Sequence, residues 1–484
     1  MTPHAATRNW IVPAVLALVA GHAAWSVMAY GPAFAGDSEI HIVFARNLIA
    51  GYPLQFNPGI FSSGETSPLY MLIVAAMSLA MGAYVAIGMK LVGAASLVGL
   101  CFVIGREAAR QGASRDWAAA LGVLPLLLPS MVFQASIGME NMLFAFLVVA
   151  VLQAWLAGRS RMLVAAVILP LLFFLRPEAL LVGIALGGVA LLERDWRSLG
   201  ALAAGAAIVL AGVALLTAWT GVPLQAAGLA RAALAPLDGT ALGLFGDRLW
   251  LSFKSAPFLL YCVPFAVVAW LYRASLGQCR HEAVVFGALF CLPLLLHLLV
   301  VFPSTHFSRY FAYGYAVFFF LFARLMARVD ARWPVLAAVG LLASTLAPYE
   351  QVLRNSEPRS SVFQVVEGLR PDFVRSSSDA LYRSLGRPPL PVVMALQEVQ
   401  IRGWLDERFI VWPLDGIVDH RFRHFVRGTS IDLAGYLRAR NVTYVFGKLP
   451  VDAGPCLRPM ALQAGPSVTP EVVYAVVGGE GCER

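Results

Sequence analysis

Apolar positions run in long blocks through the first three quarters of the chain. The blocks cover residues 10–30, 67–86, 88–105, 117–135, 139–157, 162–175, 179–192, 199–220, 256–272, 283–302, 310–323 and 334–349. Several approach the 20 or so apolar residues that cross about 30 Å of hydrocarbon as a helix. After residue 349 the pattern changes. Short runs at Pro391–Leu396, Phe409–Val411 and Val442–Phe446 have strand length, a helical pattern covers 431–440, and charges become frequent. That alternation predicts a small soluble α/β domain. The expected architecture is therefore mainly α: a polytopic membrane domain over 1–349 and a C-terminal α/β domain over 350–484.

Composition sharpens the picture. Of 484 residues, 59% are hydrophobic and 13% charged, and mean hydropathy is +0.73. Soluble domains average about 45–50% and 25% respectively, so a large soluble enzyme is excluded. The net charge of +8 does not point to nucleic acid, because most arginines lie in short loops between apolar blocks. Arg106, Arg110 and Arg115 share one loop; Arg159 and Arg161 a second; Arg194 and Arg197 a third; Arg273 and Arg280 a fourth; Arg324, Arg328 and Arg332 a fifth. The positive-inside rule assigns all five to the cytoplasm. With 67–86 as a juxtamembrane or re-entrant segment and 88–105 as the second span, every later loop alternates. The result is about 11 transmembrane helices in a bacterial inner (plasma) membrane, the N-terminus cytoplasmic and the C-terminal domain periplasmic. A rival reading takes Arg8, the first apolar run and Ala33-Phe34-Ala35 as a cleavable signal peptide, although that run is longer than the usual core. Cys456 and Cys482 both fall in the expected outer domain, where an oxidising compartment predicts a disulfide.

The loop at 31–66 and its continuation to Tyr70 hold the densest polar chemistry: GDSEIHIVFARNLIAGYPLQFNPGIFSSGETSPLY. Asp37 and Glu39 stand close together, followed by His41 and Arg46. Ionisable groups this near a membrane are functional candidates by default. A structural reading stands beside that one, in which Asp37 is the N-cap of an interfacial helix over 38–50. The other expected outer loops collect Glu140 (135–141), Arg176 and Glu178 (175–179), Arg231, Asp238, Asp247 and Arg248 (221–255), and His306 and Arg309 (303–309). One face thus gathers acids together with arginines. The chain carries no zinc-type cysteine spacing, phosphate-binding glycine loop or dinucleotide fingerprint.

In order along the chain these segments resemble the GT-C superfamily of integral-membrane glycosyltransferases, most of all its polyprenyl-phosphate-arabinose-type arabinofuranosyltransferase branch. GDSEI, ARNL, FNPG and ETSPLY are similar to that branch's first outer loop, with Asp37 on the second acid of its acidic pair and Gly36 in place of the first. SIGMENMLFAFL is similar to its GLET segment, placing Glu140 on a second outer acid. LFFLRPEALL is similar to its RPE segment, GVPLQAAGLARA to a degraded P-N-T-x-x-A-K loop with Arg231 at the Lys, and HFSRYFAYGYAVFF to its R-Y segment, with His306, Arg309 and Tyr310. RGWLDERFIVWPLDGIVDHRF and YLRARNVTYVF resemble the tail.

The resemblance implies a sugar on a polyprenyl phosphate, transferred at the outer membrane face to a hydroxyl of a cell-envelope glycan, lipid or protein. Asp37 is then the general base, and Glu140, Glu39 and Glu178 are acceptor contacts or a second acid. Arg309, Arg231 and Arg176, with Tyr310 and His306, bind the donor phosphate, for which the planar guanidinium suits bidentate contact. No cofactor is required, although Asp37 and Glu140 are a candidate pair for a divalent metal. Each role has a structural counterpart: Glu140 caps the following helix or binds Arg176, Arg176 and Glu178 pair across Pro177, Arg309 snorkels, and His41 and His306 are satisfied interface histidines. The competing functions are a transporter or flippase of a lipid-linked or anionic substrate, and a non-catalytic assembly protein.

Overall fold

A computed structural model describes residues 31–222 except Ser63, 280–292, 311–329, 359–396, 405–414, 421–427, 430–446, 457–460 and 473–476, with isolated positions at 13–25, Arg402 and Asp419. The described chain is mostly helical, with one five-stranded sheet and three two-stranded ones. It forms two compact units. One comprises Met1–Ala33, Met89–Leu210 and Asp238–Pro358; the other comprises Phe34–Gly88, Ala211–Leu237 and Arg359–Arg484.

Among the described residues, two helical stretches are long and apolar enough to cross a membrane, Pro68–Arg110 and Trp196–Thr220. The first is interrupted. Pro68–Met81 ends at Gly82, whose φ of +56° only glycine adopts without strain, and Val85–Arg110 resumes after one 3₁₀ turn. At 1.5 Å per residue the 14-residue piece is about 21 Å long and the 26-residue piece about 39 Å, so only the second exceeds the hydrocarbon thickness alone. Large apolar side chains stand exposed on these helices: Val98 (69%), Phe102 (67%), Leu210 (70%) and Leu215 (71%). Such exposure is a liability in water and is neutral in lipid.

The helices Asn141–Leu156, Arg161–Leu175 and Ala179–Glu193 coincide with expected spans but have only 15 or 16 residues, about 22–24 Å. The expected continuous helix over 117–135 is broken. Arg115–Leu127 and Ser130–Ser136 meet at 74°, because Pro125 and Pro129 each remove a backbone donor and crowd the preceding turn. Pro170 has a milder effect, with a π-helical run at Val164–Ile168 preceding it. The stretches expected to span at 256–272 and 334–349 lie outside the described residues, as do Cys456 and Cys482.

Within the first unit, ion pairs link the arginine-bearing segments. Arg161 binds Glu193 and Asp195, the latter at 3.1 Å, and His281 Nε2 lies 3.6 Å from Glu193. Glu282, beside His281, accepts from Arg324 and Arg328, each at 2.9 Å, and Arg324 also binds the buried Glu107. Segments that the sequence assigned to one face are therefore joined to one another by contacts. Backbones approach closely elsewhere in this unit: a Cβ on Gly93 would stand 2.3 Å from the Ala135 carbonyl oxygen, so only glycine fits there.

The second unit contains a five-stranded mixed sheet, ordered Leu457–Met460, Val473–Val476, Tyr444–Phe446, Val392–Leu396 and Phe409–Pro413. Val392–Leu396 runs parallel to both its neighbours, with Met394 opposite Val411 and opposite Tyr444. Three of these strands coincide with the apolar runs read from sequence. Helix Leu433–Ala439 supplies Tyr436 and Leu437 to a core with Ala395, Trp412, Phe422, Val442 and Val445, and Ile60 from the 31–66 loop packs against it. Asn57 seals the edge strand: its Nδ2 donates to the Val411 carbonyl at 2.8 Å and its Oδ1 accepts from the Val411 amide at 2.9 Å.

Candidate functional site

The acidic stretch folds as helix Gly36–Ile49 followed by the hairpin of Gln55–Asn57 and Ile60–Phe61. The helix starts earlier than the sequence suggested. Ala35 occupies the N-cap position with no side-chain cap, and Asp37 and Glu39 lie inside the first turn. Reading Asp37 as the N-cap is thus corrected: extended backbone at Ala33–Ala35 runs directly into the helix and leaves no turn for Asp37 to close. Negative charge in a first turn is stabilised by the helix dipole and by the unpaired amides there. The helix is anchored by Asn47, whose Nδ2 donates to the carbonyls of Gln55 and Phe56 at 2.8 and 3.0 Å. The asparagines of ARNL and FNPG therefore hold the loop's shape.

Asp37 is half-buried, whereas Ser38, Glu39 and His41 are buried. His41 follows Asp37 by one helical turn, so both lie on one face. Behind them sits Glu65 of ETSPLY, 1% exposed. Both its oxygens reach His41 Nδ1, at 3.1 and 3.0 Å, and one also accepts from the Ser67 amide at 2.8 Å. The edge of His41 meets the fully buried Tyr70 ring at a 5.1 Å centroid separation. Glu65 thus fixes the imidazole's orientation, as a carboxylate does for a working histidine. Sequence reasoning passed over Glu65, although it stood inside a quoted motif; what pairs it with His41 is the hairpin, and spacing alone does not reveal that.

The other unit holds a second polar cluster, at the loops 135–141 and 175–179. Arg176, 6% exposed, donates to Glu140 at 2.8 Å, to Glu178 at 2.6 and 3.3 Å, and to Asn141. Asn141 in turn donates to Gln134 at 2.7 Å. Glu140 stands at the start of helix Asn141–Leu156 but makes no side-chain cap, and its carboxylate turns to Arg176 instead. The Arg176 guanidinium is shared among these partners, an ion-pair hub joining the two loops. Lys90 plays a similar part nearby in sequence logic, donating to the carbonyls of Ala33 and Ser136.

Arg231, His306, Arg309 and Tyr310 lie outside the described residues. Asp37 belongs to one compact unit and Glu140 to the other. Among the described residues no group of three or more His, Cys, Asp or Glu side chains converges as a metal site. Compared with family models, curated proteins and solved structures, the chain matches none.

Proposed function

We propose that this chain is a membrane-embedded glycosyltransferase of GT-C type. It moves a sugar from a polyprenyl phosphate to an acceptor hydroxyl at the outer face of a bacterial inner membrane, with Asp37 as general base. One observation carries the reading: a half-buried carboxylate in a helix first turn, backed by the buried Glu39, His41 and Glu65. Burying two carboxylates and an imidazole is costly, and such groupings collect where protons are moved.

In the reaction the acceptor oxygen forms a bond to the anomeric carbon as the bond from that carbon to the phosphate oxygen breaks. The lipid phosphate leaves with the electron pair, and Asp37 takes the acceptor proton. The transition state is oxocarbenium-like. Arginines stabilise the departing phosphate by charge-assisted bonds; Arg309 and Arg231 are assigned that role, while Arg176 organises Glu140 and Glu178.

The 11-span topology belongs to the same proposal. The links from Arg161 through Glu193 and His281, and from Glu282 through Arg324 to Glu107, support it, because they tie together the segments that charge assigns to the cytoplasm. A transporter is the second reading. It rests on the burial of the Glu107–Arg324 pair at the helix ends, 2% and 7% exposed, since ionisable groups buried beside a membrane are costly unless they serve an ion or substrate path.

The test compares Asp37→Asn with wild type in nanodiscs. Loss of a general base lowers turnover about 10²–10⁴-fold while binding of a polyprenyl-phosphate sugar stays within about twofold. Near wild-type turnover in Asp37→Asn rejects Asp37 as base, and a panel of polyprenyl-phosphate sugars yielding no transfer rejects the enzyme class.

A further inference from the structure

The helical stretch broken between Leu127 and Ser130 leaves polar groups inside the first unit. At the break the Leu126 carbonyl accepts from His22 Nδ1 at 2.8 Å, a side chain doing what a helix amide does elsewhere. Just beyond it, two side chains have no such partner. Ser130 and Gln134, on helix Pro129–Ser136, are each 1% exposed. Neither the Ser130 Oγ nor the Gln134 Nε2 has a hydrogen-bond partner among the described residues. Four residues apart, the two stand on one face of the helix, with Cβ atoms about 5–6 Å from each other.

Neighbouring groups settle which end of the Gln134 amide is open. A guanidinium only donates, so Arg176 requires Asn141 to present its Oδ1. Asn141 Nδ2 must then donate, and it reaches Gln134 Oε1 at 2.7 Å. Gln134 Nε2 is left on the other side of its amide as a buried donor. Flipping the Gln134 amide would set two donors against each other. Arg176 is itself held by Glu140 at 2.8 Å and Glu178 at 2.6 Å. The charge of the network is therefore taken up within it, and its open end is neutral: one amide donor and one hydroxyl.

Two buried polar groups without partners cost stability that apolar side chains of the same size would not. Such a cost is characteristic of residues kept for function. We infer that Ser130 and Gln134 bind a neutral polyhydroxylated ligand, a sugar or polyol. One hydroxyl oxygen of the ligand accepts from Gln134 Nε2, and a second hydroxyl exchanges a hydrogen bond with Ser130 Oγ. Neutral groups one helical turn apart suit two hydroxyls of one ring, whereas a phosphate or carboxylate would be desolvated against neutral partners. Binding of the sugar does not depend on Asp37. Under the transferase reading the site makes the acceptor a glycan, and that extension rests on that reading.

The test uses the full chain in phosphatidylcholine nanodiscs, which keep sugar-headed detergents away. Saturation-transfer nuclear magnetic resonance reads binding of methyl α-glucoside and of myo-inositol, and thermal unfolding is measured beside it. The wild type binds one or both. Ser130→Ala removes a hydroxyl that bonds to no described residue, so the unfolding temperature holds or rises while affinity falls roughly three- to tenfold, the worth of one neutral hydrogen bond. Gln134→Met, close in size, loses at least as much affinity; should it fail to fold, Ser130→Ala decides. Wild-type protein that binds neither probe, or variants that bind as the wild type does, overturns the site. A lowered unfolding temperature in Ser130→Ala with no probe bound by the wild type also overturns it, and assigns the two groups to a buried water only. Variant-sensitive binding in a chain that transfers no sugar upholds the site and rejects the enzyme class; transfer without such binding rejects the site alone.

Discussion

Asn57→Ala tests whether the first loop and the C-terminal sheet are one structural object. Among the described strands Phe409–Pro413 is the last of its sheet, so one of its edges has no described strand beside it. Asn57 covers that edge at Val411 with an amide that copies a backbone peptide, donating at 2.8 Å and accepting at 2.9 Å. The side chain is 2% exposed, so water does not readily replace it. Removing it strands one buried N–H and one buried C=O. Each costs about 1–3 kcal/mol, and with partial relaxation the pair costs about 2–4 kcal/mol. At 1.4 kcal/mol per decade, that is roughly a 30- to 1,000-fold loss of protection at the Val411 amide if it exchanges by opening of this unit. Hydrogen exchange of peptides spanning 405–414 measures it. Asn57→Asp separates the two bonds, since it keeps the acceptor and loses the donor. Protection unchanged within about threefold in Asn57→Ala would refute the argument, showing that solvent already reaches the strand edge.

Two further outcomes follow from charge. Single cysteines at the exposed positions 52 and 110, in a cysteine-free background, should report opposite faces: 52 labelled by an impermeant reagent in spheroplasts and 110 shielded; labelling at 110 would sink the topology. For Asp406, burial works to raise its pKa, but the hydrogen bonds and charge of Arg408 prevail and hold it below the ordinary carboxylate value. A depressed pKa gives stability that is fully present above the unfolded value of about 3.9, begins to fall there and is lost as pH drops through the lower folded value. The stability gap between wild type and Arg408→Gln should therefore close below about pH 4; a gap of constant size down to about pH 3 would contradict it.

What was legible in the sequence was whatever depends on local composition. Apolar blocks and short alternating runs located helices and three strands, because burial of a face is written residue by residue. The breaks at Pro125 and Pro129 were not read, since proline also occurs within continuous membrane helices. Pairings across long separations were invisible. Nothing in the spacing links Glu65 to His41, Arg161 to Glu193 or Asn57 to Val411. Arg161, Arg324 and Arg328 were legible as markers of topology, but their partners Glu107, Glu193 and Glu282 were not, because acids carry little weight in that rule. Asn47 and Asn57 stood inside quoted motifs, and the structure gives both a framework role: side-chain amides that stand in for missing backbone partners.

The arrangement on helix Gly36–Ile49 also predicts the stereochemical course under the transferase reading. A retaining double displacement needs two working carboxyl groups about 5–5.5 Å apart across one sugar, one of them a nucleophile. This helix supplies a single acid to its exposed face. Gly36 stands at the first helical position, where the resembled branch has an acid. Glu39 follows Asp37 by two residues, and positions two apart on a helix do not face each other; it is also 3% exposed. Glu65 is committed to His41 and to the Ser67 amide. Of the acids described on this helix and hairpin, Asp37 is then the one placed to take a proton, and neither Glu39 nor Glu65 is placed beside it to form a glycosyl-enzyme. The acceptor hydroxyl must then attack directly, opposite the departing phosphate, and the anomeric configuration inverts. Nuclear magnetic resonance of the first-turnover product, compared with the donor, reads this directly. A retained configuration, or a covalent glycosyl adduct on Asp37 detected by mass spectrometry, would mean that Asp37 acts as a nucleophile and that the proton is taken elsewhere, with His41 the next group on the same face.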